Sequence, residues 1–417
     1  MRLELAKYKV ADIRLGDSTR IKDGVLSIDA RDLKTQLLRD NRLKDIEIVL
    51  AHPGEAKRIV HILDVIQPRA KLSDGEAIFP GLTGPVKLAG SGRTNAVEGA
   101  VVVTTGSLPA AEEALMDMSG PMAAVSKFST MHQIVLVPSA AEGLDPNEYG
   151  RAILEAGFRA AEHIGRAVGE SRFDELEIYE LASETGSHLP KVAYIYYLYS
   201  HGFGRERLFY GRSTKDTFPT LVHPNEILDS ALVHNGYTMP SKSVTYNHQN
   251  NRVIKDLYER HGKDLIFKGV ILVNHNAVYK DKEMSAFMSA KLAKHILNAD
   301  AAIITKDGGG QADVDIMLCC KSCEEMGIKT VLLVKEEAGE DGSGFCLVDI
   351  AEDADAIVTT GNGTERITIA TRVDEVIGGK TFYDGTDAKS SEIDVPYNTI
   401  VGAVDFQGGI KIAAVNY

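Results

Sequence analysis

Apolar and polar positions follow two different patterns along the chain. Up to about residue 140, short alternating stretches separated by turns predict β-strands. The clearest of these are Arg2–Leu5, Val25–Ile28 and Ile46–Leu50. A helical pattern runs from Asp32 to Arg42, and a longer one covers residues 146–170 with Ala, Ile and Leu on one face. The first part of the chain therefore predicts a β-rich mixture of strands and helices.

From Lys191 onward, fully apolar stretches alternate with helical patterns at 281–298 and 312–327. The predicted strands are Val192–Tyr199, Gly269–Asn274, Ala301–Thr305, Thr330–Val334 and Ala356–Thr360. Strands without polar alternation are typical of a parallel sheet that is covered on both faces. We therefore predict an α/β fold with a mixed, β-rich α/β domain over residues 1–185, joined by a polar linker to a Rossmann-like domain with a largely parallel sheet over residues 186–417.

Composition narrows the range of functions. The chain has 417 residues with 46 Lys and Arg against 59 Asp and Glu, a net charge of −13. An acidic chain without basic clusters is a poor match for nucleic acid or an anionic membrane. The sequence shows neither an apolar run of membrane-spanning length nor a signal-peptide core. We expect a cytoplasmic protein that binds neither nucleic acid nor membrane.

Cysteines and histidines give little sign of a metal or disulfide site. The four cysteines, Cys319, Cys320, Cys323 and Cys346, lie close together, and Cys320 and Cys323 share one face of a predicted amphipathic helix. Buried thiols are the favoured interpretation, with a redox pair as the alternative. The twelve histidines form no HxH or HExxH spacing, so we predict no metal site.

Several colinear segments resemble one known family. They include His52–Glu55, Asp64–Arg69, Gly90–Thr94, Leu189–Tyr194 and His248–Asn251 with the helix that follows. These segments closely resemble the component B proprotein of the glycine, sarcosine, betaine and D-proline reductase complexes. The resemblance extends over nearly the whole chain, and it implies an oxidoreductase subunit in a hetero-oligomeric complex.

Glycine- and sarcosine-type members of this family cleave their own backbone at a cysteine, which becomes a pyruvoyl group. In the equivalent loop, residues 231–251 here, the corresponding position is Tyr237. A phenol on a methylene can undergo neither the N-to-S acyl shift nor the β-elimination that this conversion needs. We therefore predict an uncleaved chain with no pyruvoyl group and no other cofactor.

The resemblance also implies a partner, a gamma-type subunit that supplies a selenocysteine or cysteine nucleophile. The predicted function is substrate binding for reductive C–N cleavage, with betaine as the natural substrate because its quaternary nitrogen needs no imine. One alternative is a hydrolase or desulfurase subunit that acts on a cyclic amide or thioamide with the partner cysteine. Another is a scaffold subunit that only shapes the partner's site.

The cleavage-loop equivalent supplies most of the candidate site residues. Tyr237 is a candidate catalytic residue that offers a π face to a cation or a phenol to an anion. His248 is the second, as an acid/base or a carboxylate-orienting group, although its motif equally suits a structural role. His234, Asn235 and Asn250 are predicted to bind substrate, whereas Asn251 is predicted to be a helix N-cap.

Two glycine-rich segments complete the prediction. Arg93, within Gly90–Thr94, is a candidate carboxylate ligand, with an ordinary surface arginine as the alternative. Gly308 and Gly309 follow the strand Ala301–Thr305 and precede a predicted helix, where free backbone N–H groups suit a carboxylate or phosphate. The substrate is expected to be a small carboxylate or amide.

Overall fold

The computed structural model describes residues 1–71, 78–109, 111–169, 172–181, 188–200, 206–236, 242–337, 339, 347–370, 372–390 and 392–409. The fold is mixed α/β with several sheets, most of them small. Within these ranges, no helix combines the length and the apolar character needed to cross a membrane.

The strands of the first part, in chain order, are β1 (Arg2–Lys9), β2 (Asp12–Leu15), β3 (Arg20–Lys22), β4 (Val25–Ile28), β5 (Leu43–Ala51), β6 (Lys57–Ile59), β7 (Ile62–Ile66), β8 (Arg69–Lys71), β9 (Gly92–Glu98), β10 (Ala100–Thr105), β11 (Met116–Asp117), β12 (His132–Ala140) and β13 (Glu175–Glu180). Those that follow are β14 (Lys191–Leu198), β15 (Glu206–Phe209), β16 (Arg212–Ser213), β17 (Thr220–Val222), β18 (Leu232–Asn235), β19 (Ile266–Asn274), β20 (Ala301–Lys306), β21 (Lys329–Glu336), β22 (Ala356–Asn362), β23 (Arg366–Ile369), β24 (Glu375–Ile377) and β25 (Ile393–Pro396).

The α-helices are α1 (Ala30–Leu37), α2 (Gly120–Val125), α3 (Pro146–Gly165), α4 (Pro224–Leu228), α5 (Thr245–Gln249), α6 (Arg252–Arg260), α7 (Tyr279–Lys291) and α8 (Ala312–Glu325). Short 3-10 turns occupy Phe128–Thr130, Arg166–Val168 and Tyr397–Thr399, and a π-helical turn at Leu292–Ile296 extends α7.

Two four-stranded sheets form most of the first part, in the orders β13-β1-β9-β8 and β5-β12-β10-β7. Both mix parallel and antiparallel pairs. Helix α3 packs on them with a buried face that includes Phe158, and the rings of Phe158 and Phe79 lie 4.5 Å apart. The predicted β-rich mixture is therefore observed in this part of the chain.

A six-stranded sheet in the order β17-β19-β14-β20-β21-β22 dominates the second part. Its neighbours are parallel except for the β17–β19 pair. All five apolar strands predicted after Lys191 belong to this sheet, so the predicted largely parallel sheet is confirmed. The Rossmann-like assignment stays a prediction, and so do the domain bounds.

Helix boundaries differ from the predicted ones for identifiable reasons. Asp29 caps α1 by accepting hydrogen bonds from the N–H groups of Arg31 and Asp32, so the helix begins earlier than predicted. Helix α3 ends at Gly165 and continues as the 3-10 turn Arg166–Val168, and the helical path stops at Gly169, where φ is +50°. Asn251 caps α6 as predicted, because its Oδ1 accepts from the Ile254 N–H at 3.0 Å.

The C-terminal part of the chain packs against the first part. Strand β24 pairs in parallel with β6, and Leu115 bridges to Ile400. Beneath this contact, the buried Arg58 guanidinium forms two hydrogen bonds with Asp117, at 2.6 and 2.8 Å, and donates to the Ala388 carbonyl. A buried ion pair of this geometry fixes the C-terminal segment against the first part of the chain.

Candidate functional site

Strands β19, β14 and β20 end side by side at one edge of the large sheet. The chain leaves β14 toward β19 and later crosses to β20 on the other side of β14. Such a reversal of strand order leaves a crevice outside the carboxyl ends of the strands, where α/β sheets bind ligands. Tyr199, His275 and Asp307 follow these three strands directly.

The turn from Asp307 to Gly310 closes this edge and leads toward helix α8. The Asp307 N–H donates to the Tyr197 carbonyl at 2.9 Å, and its carboxylate pairs with the buried Arg207 guanidinium. Gly308 has φ +134°, and a Cβ at this position would lie 2.9 Å from the Tyr199 ring. The close approach of the turn to Tyr199 therefore requires a glycine.

One cavity of about 210 Å³ lies on the β21 side of this turn, and we name it the lysine cavity. Its walls are formed by Lys306, Gly309, Gly310, Asp313, Lys335, Glu337 and Val348. The Lys306 ammonium contacts the Asp313 carboxylate, and the Lys335 ammonium lies 2.6 Å from Glu337. The cavity thus combines two cations and two carboxylates in a largely buried setting.

Burial changes the pKa values of these charged groups. It lowers the pKa of Lys306 to about 7, and the neighbouring Lys335 ammonium adds to the effect. Lys242, within the cleavage-loop equivalent, has its pKa lowered to about 8 by burial. Lys335 and then Lys306 lower the pKa of Glu337, although burial opposes them. The carboxylate is thus kept ionised while Lys306 lies close to losing its proton at neutral pH.

A second cavity of about 210 Å³, named here the aromatic cavity, lies on the β19 side of the same turn. Its walls are formed by Tyr199, His275, Asn276, Lys282, Gly309, Gln311 and Ala312. His275 Nδ1 lies 3.2 Å from Asp315 Oδ2, and that carboxylate also contacts the Lys282 ammonium. Gly309 lines both cavities, so the turn separates a charged space from one with an aromatic wall.

Two buried histidines lie behind this edge, on β18 and α5. The rings of His234 and His248 are 6.3 Å apart and nearly perpendicular. His248 Nδ1 lies 3.0 Å from the Tyr196 hydroxyl, which accepts a hydrogen bond from Gln407. Within the described part of the chain, His248 Nε2 and both His234 ring nitrogens have no hydrogen-bond partner. Buried polar atoms of this kind are rare and concentrate at functional sites.

Both imidazoles are held neutral. Burial, and then the Arg207 guanidinium, lowers the pKa of His248 to about 4. The same two causes lower the pKa of His234 well below its ordinary value. Because Arg207 also pairs with Asp307, the histidines and the turn between the cavities share one electrostatic environment.

A buried carboxylic acid orients the loop that carries His248. Asp64 accepts hydrogen bonds from the Thr245 N–H at 2.7 Å and the Thr245 hydroxyl at 2.6 Å. That hydroxyl oxygen in turn accepts from the His234 N–H at 3.0 Å. Burial raises the pKa of Asp64 to about 7. Asp64 therefore links β7 to both histidine-bearing elements.

The predicted residues of the cleavage-loop equivalent fall in different places. Tyr237 lies outside the described residues, and Asn235 is described through its backbone, which pairs with Glu206 on β15. Asn250 donates to Gln67 Oε1 and accepts from the Lys255 ammonium, both at 3.0 Å. Its amide is thus engaged at both ends by protein groups.

Arg93 lies on the surface in β9, 41% exposed, with its guanidinium on the Glu4 carboxylate at 2.9 and 3.0 Å. Other residues of its motif, Gly90–Thr94, donate hydrogen bonds to a carboxylate inside the protein. The Gly90 N–H and the Thr94 hydroxyl each donate to Asp229 at 2.7 Å. The substrate role predicted for Arg93 stays a prediction, while the backbone of its motif has a clear structural task.

The sequence reasoning missed Lys306, Lys335, Asp64 and Arg207. A signal existed for the first three, because each is a charged residue in or at the end of an otherwise apolar strand. Arg207 gave no comparable signal. Its importance arises from pairing with Asp307, which is 100 positions away in the chain.

The three described cysteines are free and buried in helix α8. Cys319 and Cys323, four positions apart, contact each other, and Cys320 Sγ lies 3.1 Å from the Thr330 hydroxyl. The favoured interpretation of buried thiols is confirmed for these three, and the contacting pair is Cys319 with Cys323 because a spacing of four aligns closely with the helical repeat.

Comparison with known proteins connects this arrangement to one family. A family profile described as glycine/sarcosine/betaine reductase component B subunits matches residues 1–407. The chain is 37% identical, over 432 aligned residues that span all of both sequences, to the glycine reductase complex component B subunits alpha and beta of Acetoanaerobium sticklandii.

Two relatives from Peptoclostridium acidaminophilum carry other substrate names. The sarcosine reductase complex component B subunit alpha is 37% identical over the full length of both chains. The betaine reductase complex component B subunit alpha is 37% identical over 88% of this chain and 86% of the relative. No solved structure matches the chain.

Proposed function

Because the chain belongs to the glycine/sarcosine/betaine reductase component B family, we propose that it is the substrate-binding subunit of a reductase complex of this kind. The proposal includes a hetero-oligomer in which a gamma-type partner supplies a selenocysteine or cysteine nucleophile. The substrate is a small zwitterion in which a carboxylate and a cationic nitrogen share one carbon.

The observation that carries this proposal is the pair of cavities that Gly309 separates. In the lysine cavity, the Lys335 and Lys306 ammonium groups can receive a carboxylate, and the positive end of the α8 dipole favours the same charge. In the aromatic cavity, the Tyr199 ring offers a π face to an alkylated ammonium. A zwitterion extended across Gly309 would meet a matching group at each end.

The proposed chemistry needs no pyruvoyl group on this chain, because Tyr237 is proposed to take the place of the family's cysteine. With betaine, the partner's selenolate or thiolate attacks the α-carbon and forms a new Se–C or S–C bond. The C–N bond breaks, and trimethylamine leaves with the bonding electron pair. The existing positive charge on nitrogen makes it a leaving group without an imine.

The two buried histidines are proposed to take part in the reaction. A neutral His248 can hold or move a proton, and Tyr196 and Gln407 fix the orientation of its ring. We propose His248 as a catalytic residue and His234 as a substrate-binding neighbour, with Asp64 positioning both through Thr245. Tyr237 is proposed to line the substrate pocket.

Two measurements test the proposal. Intact mass of the purified chain should give one uncleaved polypeptide without a carbonyl that reacts with hydrazine. Turnover of the complete complex with betaine and a dithiol should then release trimethylamine. Two fragments, or a hydrazine adduct, would refute the pyruvoyl-free mechanism, and turnover only of cyclic amides or thioamides would establish the hydrolase or desulfurase alternative.

The lysine cavity has a matched control on the same strand. Lys335→Met should raise the KM for betaine at least tenfold, because a buried carboxylate partner is lost. Lys329→Met, at the exposed start of β21, should leave KM unchanged. Equal KM values for the two variants would show that the substrate does not bind in the lysine cavity.

A further inference from the structure

A cluster of three metal-ligating side chains lies in the first part of the chain, in sheets other than the large parallel one. Strands β5 and β12 are antiparallel neighbours, and Ala51 stands opposite Gln133. His52 follows Ala51 and His132 precedes Gln133, so the two imidazoles meet at the end of the ladder. Asp12, at the start of β2, completes the cluster.

We propose that Asp12, His52 and His132 form a binding site for a transition-metal dication of the zinc type. This inference is independent of the reductase function proposed above. It also departs from the expectation of no metal site, which rested on the absence of short histidine spacings. The two histidines are 80 positions apart, so no motif could show them together.

Two of the three ligand–ligand distances are close to those of tetrahedral coordination. His52 Nδ1 and His132 Nδ1 are 3.2 Å apart, and Asp12 Oδ1 lies 3.5 Å from His52 Nδ1. The three ligand atoms all lie within 4.8 Å of one another. Two ligands about 2.0–2.1 Å from a tetrahedral zinc ion are separated by roughly 3.3–3.4 Å. One ion can therefore contact all three atoms after small side-chain adjustments.

The hydrogen bonds prepare His132 for a metal. His132 Nε2 lies 2.9 Å from the Ala11 carbonyl oxygen, which only accepts, so the proton resides on Nε2. Its Nδ1 then carries a lone pair directed at His52. A metal-bound histidine characteristically donates its other N–H to a carbonyl or carboxylate in this way.

Hydrogen bonds also position the segments that carry the other two ligands. Asp12 Oδ1 accepts from the Ile13 N–H at 2.9 Å, and the backbone N–H of His52 donates to Glu55 Oε2 at 2.8 Å. The two imidazole rings lie nearly perpendicular, at 80°, with their Nδ1 atoms converging. Both histidines are half-buried and Asp12 is exposed, which leaves room for water at a fourth position.

Two imidazoles and one carboxylate suit zinc and its first-row neighbours better than magnesium or calcium, which prefer oxygen ligands alone. A bound ion would connect β2, in the small β2-β4-β3 sheet, to the β5-β12 edge of the neighbouring sheet. The expected effect is therefore greater stability of the first part of the chain, whatever the substrate.

Zinc titration of the full-length chain after chelator treatment tests this site. Calorimetry should show one zinc ion bound per chain, and His52→Gln or His132→Gln should weaken binding at least tenfold. Asp12→Asn should weaken it as well while it keeps an oxygen for the Ile13 N–H. The matched control, His295→Gln, removes an exposed histidine elsewhere and should leave the isotherm unchanged.

Thermal unfolding gives a second readout, since an ion that binds only the folded state raises the melting temperature. Zinc should stabilise the wild-type chain and the His295→Gln control more than the three site variants. Circular dichroism without metal verifies that the variants are folded. A wild-type chain that binds no zinc, or site variants that bind it like the wild type, would overturn the proposal.

Discussion

The buried rings of His234 and His248 lie at 72° to each other with centroids 6.3 Å apart, on two elements joined by the Asp64–Thr245 hydrogen bonds. Three of their four ring nitrogens have no partner within the described ranges. Burial of polar atoms without hydrogen bonds costs stability, so a fold retains such an arrangement where function needs it. Within the cleavage-loop equivalent, His248 reaches the large sheet through the Tyr196 hydroxyl.

Replacement of His248 by Gln should lower kcat of the complete complex by roughly 10²–10⁴-fold, the usual contribution of a positioned acid or base. Since the pKa of His248 is about 4, the wild-type rate should fall as pH drops toward that value, and the variant should lose this limb. The measurement is a pH–rate profile with saturating betaine. A variant that retains the acid limb would assign it to another group.

Gly308 and Gly310 form a matched pair for the turn between the two cavities. Gly308→Ala should destabilise the chain by about 1–3 kcal/mol and reduce turnover, because its Cβ would press on the Tyr199 ring. Gly310→Ala, at φ +65° with open space around the Cβ, should cost only about 1 kcal/mol. Urea unfolding and steady-state kinetics measure both, and equal losses of turnover would contradict the role of Tyr199.

Asp64→Asn should change how stability depends on pH. The folded-state pKa of Asp64, about 7, lies above the ordinary 3.8. Between these values the folded chain keeps a proton that the unfolded chain has released, so this group weakens the fold as pH rises from about 4 to about 7. Buried His248 acts in the opposite direction, because its lowered pKa costs stability as pH falls from about 6.5 toward 4.

Only a comparison of variants isolates the Asp64 contribution. The free energy of unfolding of Asp64→Asn, relative to the wild type, should increase by roughly 2–4 kcal/mol from pH 4 to pH 7. Asp355→Asn, at an exposed position, should show no comparable trend. Denaturant unfolding at several pH values provides the data, and parallel curves for the wild type and Asp64→Asn would contradict the raised pKa.

The cysteines of helix α8 should be inert in the native chain. Burial raises the pKa of Cys320 to about 11, and the Cys319 contact followed by burial raises that of Cys323 well above its usual range. Thiolates are the reactive form, so alkylation should be at least tenfold slower before unfolding than after it. Peptide mapping after iodoacetamide locates the label, and rapid native labelling of Cys323 would revive the redox-pair interpretation.

The sequence predicted the large sheet well because its signal is local. The five predicted strands of this sheet are largely apolar runs, and burial on both faces gives a parallel sheet that pattern directly. Asn251 was equally readable, since an N-cap is decided by its own side chain and the three residues after it. Helix ends were less accurate, because the last predicted turn of α3 is a 3-10 turn at Arg166–Val168 that stops at Gly169.

The sequence by itself determined the family and the parallel strands, whereas the equivalence of Tyr237 to the family's cysteine stays a prediction. Only the tertiary structure decided which distant side chains meet: Lys306 with Lys335 across the lysine cavity, Arg207 with Asp307, and His52 with His132. The physical reason is that periodicity reports which face of an element is buried. Strand order and register, which bring separate elements together, depend on packing over the whole chain.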